Sequence, residues 1–479
     1  MSTVRDDRGG SAADLFPAGR LGRPEVRELP AAPAKTGRLI GPGIVAAGVG
    51  LSSGEFILYP YIASQVGMAF VWAALLGVTT QFFLNMEIER YTLATGETVL
   101  TGFSRFWPHW GLVFAVMTCF ANLWPGWVTS SATMLSYIVG GEPRWIAVGM
   151  LVAIGLILTL APVVYVILER LQMVKVAAVG LLIVIAAFFV ITAEDWAALP
   201  QIATTATVPT ELGFALLLGA LAFAGAGGGQ NLCQSNWIRD KGFGMGKYVP
   251  RITSPVTGAP EAAPSTGFVF EPTAENMARW RRWWHFANFE QLVTFVLITF
   301  VTITFTSLLA YATVYGEEGL ANSVAFVQRE GQVLSERVGS WFGILFWFIG
   351  AFSLFGAATG IVDYTARLVA DVLRTSYLKG QNESRLYFVT VWTLVTIGIV
   401  VLFAGLAQPL VLLVISACVG GLMMFLYSFL LIRLNRTFLV PQLRPGALRV
   451  GTLIWAFLLF GILSGITVVQ QAPKLWGAG

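Results

Sequence analysis

Residues Gly41 to Pro60 read GPGIVAAGVGLSSGEFILYP, an apolar, helix-like run interrupted near its middle by Leu51-Ser52-Ser53-Gly54-Glu55. A carboxylate at the centre of a membrane segment costs about 2.5 to 3.5 kcal/mol on insertion scales, so a Glu placed there faces a polar cavity and marks function. Ser competes for backbone hydrogen bonds and Gly adds backbone freedom, so Ser52, Ser53 and Gly54 weaken the helix where the charge sits. Unwound backbone at membrane depth is tolerated only where it is buried in protein or lines a wet cavity. The stretch is expected to form half of a binding site.

The rest of the chain agrees with a membrane setting. Of 479 residues, 56% are hydrophobic and only 12% charged, with a mean hydropathy of +0.72; a water-soluble globule carries about 25% charged residues. The pI near 9.0 does not indicate nucleic acid, because the basic residues fall between apolar runs and form no stripe. Runs of about 20 apolar residues occur eleven times, near 39–65, 68–90, 110–139, 144–168, 174–193, 211–238, 286–315, 340–370, 385–405, 409–433 and 449–471. With the N-terminus placed in the cytoplasm, 26 of the 30 Lys and Arg residues fall on the cytoplasmic side, as the positive-inside rule requires. A multi-pass protein of the cell membrane follows, N-terminus cytoplasmic and C-terminus extracytoplasmic.

A second break is written into the sixth run, where Phe223-Ala224-Gly225-Ala226-Gly227-Gly228-Gly229-Gln230-Asn231 interrupts the apolar sequence. Each Gly costs up to about 1 kcal/mol relative to Ala in a helix, so three in succession followed by two amides predict an unwound segment. Close helix packing through small residues is the plainer reading, but packing does not need Gln230 and Asn231. Breaks in the first and sixth spans point to two inverted five-helix repeats with a substrate held between the broken helices. The expected organisation is a disordered cytoplasmic tail at 1–38, a first five-helix repeat at 39–193, an extracellular loop and broken sixth span at 194–238, a cytoplasmic loop with an interfacial Trp/Arg segment at 239–285, the rest of the second repeat at 286–435, and an added helix with the C-terminus at 436–479.

These features resemble the Nramp family of divalent-metal transporters, within the amino acid, polyamine and organocation superfamily, whose fold is the LeuT fold. Gly41-Pro42-Gly43 is similar to the family's opening of its first helix, Arg90 to Thr98 (RYTLATGET) to its Arg-Leu-Gly-Val-Val-Thr-Gly turn, and Asn231-Leu232 to the end of its Met-Pro-His-Asn-Leu motif. The resemblance implies an all-α transporter of eleven transmembrane helices, with the substrate at Ser52, Ser53, Gly54, Glu55, Gly225, Gly228, Gln230 and Asn231. It also exposes a departure. The family's Asp-Pro-Gly-Asn aligns with Ser52-Ser53-Gly54-Glu55, and its Met-Pro-His-Asn with Gly228-Gly229-Gln230-Asn231, so the Asp and the thioether ligands are both missing.

What remains is an oxygen-rich set, with Ser52, Glu55 and Gln230 as candidate metal ligands. Hard cations prefer such a shell, and one carboxylate plus neutral oxygens resembles the way Mg²⁺ is held with much of its water retained. The first expectation is a secondary transporter of a small cation, a divalent metal that is Mg²⁺-like rather than Mn²⁺- or Fe²⁺-like. Gly50 to Gly54 is also similar to the glycine-serine loop of amino-acid carriers, which keeps open a small organic solute such as an amino acid or amine. A non-transporting sensor or structural membrane protein is the third reading.

Other polar residues are weighed singly. Asp363 and Arg367, spaced i, i+4, pair with each other or line an intracellular exit path with Thr359. Glu87 and Glu89 form an inner gate or are solvated; Glu169, Arg170 and Lys175 fit a turn between the fourth and fifth spans. The third span holds no acidic or basic residue, which argues against a proton relay there. No cofactor fingerprint, nucleophile motif or Walker loop is found, so no enzyme activity, no cofactor, no nucleic-acid partner and a monomer in the lipid bilayer are expected.

Overall fold

In the computed structural model, residues 11–33, 41–52, 54–123, 125–254, 256, 266–320, 325–405 and 409–475 are described. The described chain is mostly helical. Its first rod is α1 (Pro42–Gly50), a π-helical turn (Gly54–Leu58) and α2 (Tyr59–Val66). The second is α3 (Trp72–Thr95); the third is α4 (Trp110–Asn122) with α5 (Gly126–Val139). Then come α6 (Pro143–Leu160), α7 (Val164–Phe189), and a sixth rod in two pieces, α8 (Phe214–Ala222) and α9 (Gly229–Lys241). A seventh joins α10 (Ala274–Gln291) to α11 (Ile298–Val314), and α12 (Ala325–Arg337) connects it to α13 (Ser340–Val372). Last are α14 (Glu383–Phe403), α15 (Pro409–Phe438) and α16 (Ala447–Leu475). Among the described residues, nine of these rods are long and apolar enough to cross a membrane. The expected count of eleven rests in addition on α3, which carries Glu87, Glu89 and Arg90, and on the α8/α9 pair, whose pieces are nine and 13 residues long.

The entry to the first rod explains Gly41-Pro42-Gly43. Pro42 stands at the start of α1, where its fixed φ suits a helix and no amide is needed. Glu290 Oε1, from α10, accepts from the Gly43 amide at 2.9 Å and from the Thr294 hydroxyl at 3.0 Å. A carboxylate at a helix N-terminus is favoured by the orphan amides and the helix dipole. A side chain at 43 would meet Thr294 Oγ1 at 2.3 Å, so only glycine admits the carboxylate so closely.

Several expectations are corrected by the packing. The first 38 residues are not disordered throughout: residues 11–33 lie across the end of the bundle that carries the 239–285 loop. There β1 (Glu25–Val26) pairs in parallel with β2 (Phe268–Val269), Phe16 is fully buried and stacked 5.1 Å from Phe438, and Trp283 Nε1 donates to Pro30 O at 2.8 Å. Composition correctly reports few apolar residues, but Phe16 and Leu29 each fill a hole in the bundle. For the same reason the Trp/Arg segment does not face outward as a whole: Trp280 and Trp283 are buried while Arg281 and Arg282 remain exposed.

The third rod is not continuous either, because Pro125 removes a backbone donor and α4 ends at Asn122. Between the fourth and fifth rods the turn is residues 161–163, not 169–175, so Lys175 lies well inside α7. Glu87 and Glu89 are not solvated; both are fully buried. Glu87 is held by Arg90 at 2.8 Å and Arg449 at 3.3 Å, whereas neither carboxylate oxygen of Glu89 has a hydrogen-bond partner among the described residues.

Candidate binding site at the crossing of two broken helices

The two breaks touch. A side chain at Gly50 would place its Cβ 1.5 Å from Gly225 O, and one at Gly54 would come within 2.2 Å of Phe223 O. Four residues apart, these glycines let the first rod lie directly on the unwound backbone of the sixth, where Gly225, Gly227 and Gly228 have φ of +115°, +87° and +53°. Side chains other than glycine are strained in that region.

Breaking a helix at this depth leaves orphan amides and carbonyls that need partners. One side chain supplies them for the sixth rod. Gln81 of α3 accepts with its Oε1 from the amides of Ala226 at 2.9 Å and Gly227 at 3.0 Å. Its Nε2 donates to the carbonyls of Ala222 at 3.0 Å and Leu221 at 3.3 Å. In the first rod, Glu55 Oε2 accepts from the Ser52 amide at 3.0 Å, and Ser353 Oγ from α13 donates to Leu51 O at 2.7 Å.

Glu55 is completely buried, and its Oε1 has no hydrogen-bond partner among the described residues. An unpaired carboxylate oxygen in such a place is a vacant acceptor. Lys175, fully buried on α7, is the basic group whose charge acts on Glu55. Its Nζ donates to Ser353 O at 3.2 Å, and Gly356 leaves the groove through which its stem passes. Ser353 thus links Lys175 to the first break.

The expected site residues fall into three groups. Ser52 and Glu55 lie together, joined through the Ser52 amide, while the Ser52 hydroxyl donates to Val49 O and Gly50 O at 3.2 Å each. Gly54, Gly225 and Gly228 shape the crossing. Ser53 lies outside the described residues. Gln230 Nε2 donates to Ala46 O at 2.7 Å, within α1. Asn231 turns the other way, bonded to Asn85 at 2.7 Å and Tyr427 at 3.1 Å. No cluster of three or more His, Cys, Asp or Glu suited to a metal occurs among the described residues. One thioether does approach the second break: Met423, whose terminal methyl is 2.8 Å from a would-be Gly228 side chain.

Asp363 and Arg367 pair as their spacing predicts, at 2.8 Å, but as part of a larger buried assembly. Arg367 also reaches Asp240 of α9 at 2.5 Å, and Asp363 accepts from Tyr387 at 2.8 Å and Trp237 at 3.2 Å. Nearby, Arg239 binds Glu383 at 2.6 Å and Asp371 at 3.6 Å. The Thr359 hydroxyl donates to Phe355 O in its own helix at 2.9 Å. These contacts tie α9, α13 and α14 together below the crossing.

No family model and no curated protein matches the sequence. Solved structures do match. A mutant of the Eremococcus coleocola manganese transporter superposes with a TM-score of 0.67 at 12% identity, covering 95% of this chain and 91% of that one. The chain has the LeuT fold. Two more structures share it. MhsT in complex with L-phenylalanine matches with a TM-score of 0.50 at 13% identity, covering 92% and 99% of the two chains. Mhp1, a nucleobase-cation-symport-1 family transporter in a closed conformation with bromovinylhydantoin bound, matches with a TM-score of 0.53 at 10% identity, covering 95% and 96%. In this LeuT-fold chain Gln81 and Lys175 are the site residues that the sequence reading missed. An amide beside Thr79-Thr80 in the middle of the second run was the available sign for Gln81; Lys175 was hidden by the misplaced turn.

Proposed function

We propose that this protein is a secondary membrane transporter that holds the positive charge of a small solute at Glu55, between the breaks of the first and sixth rods. The observation that carries the reading is the buried Glu55 carboxylate, with one oxygen on the Ser52 amide and the other vacant. Broken helices in a LeuT fold present such groups to substrates at mid-membrane. A divalent metal with oxygen ligands is the first form of this reading. With one carboxylate and few neutral donors, the ion keeps most of its water, which suits Mg²⁺ better than Mn²⁺ or Fe²⁺.

Lys175 favours a second form. Tied through Ser353 to the first break, it brings a basic group close to Glu55, so a bare divalent ion leaves more uncompensated positive charge in a low-dielectric site. A zwitterion or amine, such as an amino acid, adds less. The energy source is proposed to be the membrane potential without obligatory proton symport, because α4 and α5 contain no acidic or basic residue. For a divalent ion the potential supplies about 4.6 kcal/mol per 100 mV, twice the single-charge value.

Uptake into proteoliposomes of Mg²⁺, Mn²⁺ and an amino-acid panel separates the two forms. Glu55→Gln is expected to abolish uptake of the true substrate while the protein stays folded, since the neutral amide is cheaper to bury. Unchanged uptake by a stable Glu55→Gln protein would sink the proposal. For orientation, a single cysteine at Glu317 is expected to label from outside and one at Lys379 only after permeabilisation; the reverse pattern overturns the proposed topology.

A further inference from the structure

On the side of the bundle away from the N-terminal strap, the helix α12 packs down between the seventh and eighth rods and against the outer half of the first. The ring of Phe326 lies 5.8 Å from that of Tyr61, Trp347 Nε1 of α13 donates to Val327 O at 3.1 Å, and Gly331 gives Trp347 the room to do so. Beneath α12 is a cavity with space for about one water molecule. Its walls come from Phe56 and Pro60 of the first rod, from α7 and Ile191 just beyond its end, from Phe305, Thr306 and Leu309 of α11, from Phe346 of α13, and from one acid, Glu330 of α12 itself.

Glu330 is only 2% exposed. None of the residues lining the cavity from the first rod, α7, α11 or α13 is charged or titratable. The remaining charged groups of α12 point elsewhere: Arg329 pairs with Glu317 at 2.9 Å and Glu336 at 3.5 Å, and Arg337 is exposed. Among the described residues no other charged group lines this cavity, so an ionised carboxylate there has little to offset its lost hydration, whereas the neutral acid is far cheaper to bury. Phe56, the residue after Glu55, forms the floor of this cavity.

We propose that Glu330 is an external proton-binding site that sets a lid, in which the protonated acid seats α12 over the outer approach to Glu55 and the ionised acid releases it. The proposal rests on the transporter reading for what lies beneath the lid and on the proposed topology for its outer side. Burial alone pushes the Glu330 carboxyl from its ordinary 4.5 up to about 8. The sign follows from linkage: the seated state binds the proton more tightly than the released one, so seating is fully favoured below pH 4.5 and is lost as pH rises to about 8. Across that window the released-to-seated ratio rises by about tenfold per pH unit, and above it the ratio levels off.

The test is conformational and needs no substrate, so its failure is distinct from failure of the transport reading. Spin labels are placed at Arg337 on α12 and at exposed Val139 at the end of α5, in a full-length protein whose three native cysteines are replaced, and distances are measured by pulsed electron resonance from pH 5 to 9. A second, longer distance population is expected to grow with pH and level off near 8. Glu330→Gln and Glu330→Ala are each expected to abolish the pH dependence, and Glu330→Gln to hold the short distance throughout. A pH-independent distance in the native protein overturns the proposal, as does the same pH response in Glu330→Gln.

Discussion

Replacing Arg367 with Met should destabilise the protein by about 3 to 5 kcal/mol, the cost of leaving buried charges without their partner. Arg367, Asp363 and Asp240 are each fully buried, and the guanidinium is shared between the two carboxylates. Tyr387 and Trp237 satisfy Asp363 in part but carry no charge to offset it. The expected result is a large fall in thermal stability in detergent, read by fluorescence-detected size exclusion. Adding Asp363→Asn and Asp240→Asn to Arg367→Met should recover most of the loss, because it removes both carboxylates that Arg367 balances, while Arg239, 4.0 Å from Asp240, keeps Glu383 and Asp371 as partners. A single Arg367→Met protein as stable as the native one would show that the assembly contributes nothing.

Gly50→Ala should abolish transport while leaving the helices intact. The new methyl would stand 1.5 Å from Gly225 O, a distance no rotamer change relieves, because the methyl is fixed by the backbone at residue 50 and its neighbour is itself backbone. The two breaks must move apart, and the position of Glu55 relative to the sixth rod moves with them. Gly225→Ala should do the same for two reasons: its φ of +115° costs a non-glycine residue about 1 to 3 kcal/mol, and the Phe295 ring lies 2.6 Å from the would-be Cβ. Gly180→Ala is the control, since nothing lies within 4 Å of its would-be side chain. Uptake falling at least tenfold in the first two variants and unchanged in the third is the expected pattern. Native-like uptake in a folded Gly50→Ala protein would remove the crossing from the mechanism.

What the sequence by itself determined is local in origin. The charge at Glu55 within an apolar run, the glycines from 225 to 229 and the i, i+4 spacing of Asp363 and Arg367 are each visible within a few residues, because helix propensity and membrane insertion are set over such windows. From the first two the membrane setting and the two breaks could be inferred; the LeuT fold was implied by the resemblance of Gly41-Pro42-Gly43, Arg90 to Thr98 and Asn231-Leu232 to a known family.

The tertiary structure alone decided who answers those local features. Gln81 bridges the second break across about 145 residues. Glu290 caps α1 across 247 residues, and Lys175 meets Ser353 across 178. No periodicity announces such pairs, since each depends on which face of one helix packs against another. Lys175 shows the consequence: in one dimension it looked like a charge in a turn, because charge normally marks the end of a span. Burial between α7 and α13 is possible only because Gly356 opens a groove and Ser353 offers a carbonyl. The strap of residues 11–33 is the opposite case: a polar composition suggested disorder, but a few buried apolar side chains together with strand pairing and hydrogen bonds to the 266–285 segment order it against an existing surface.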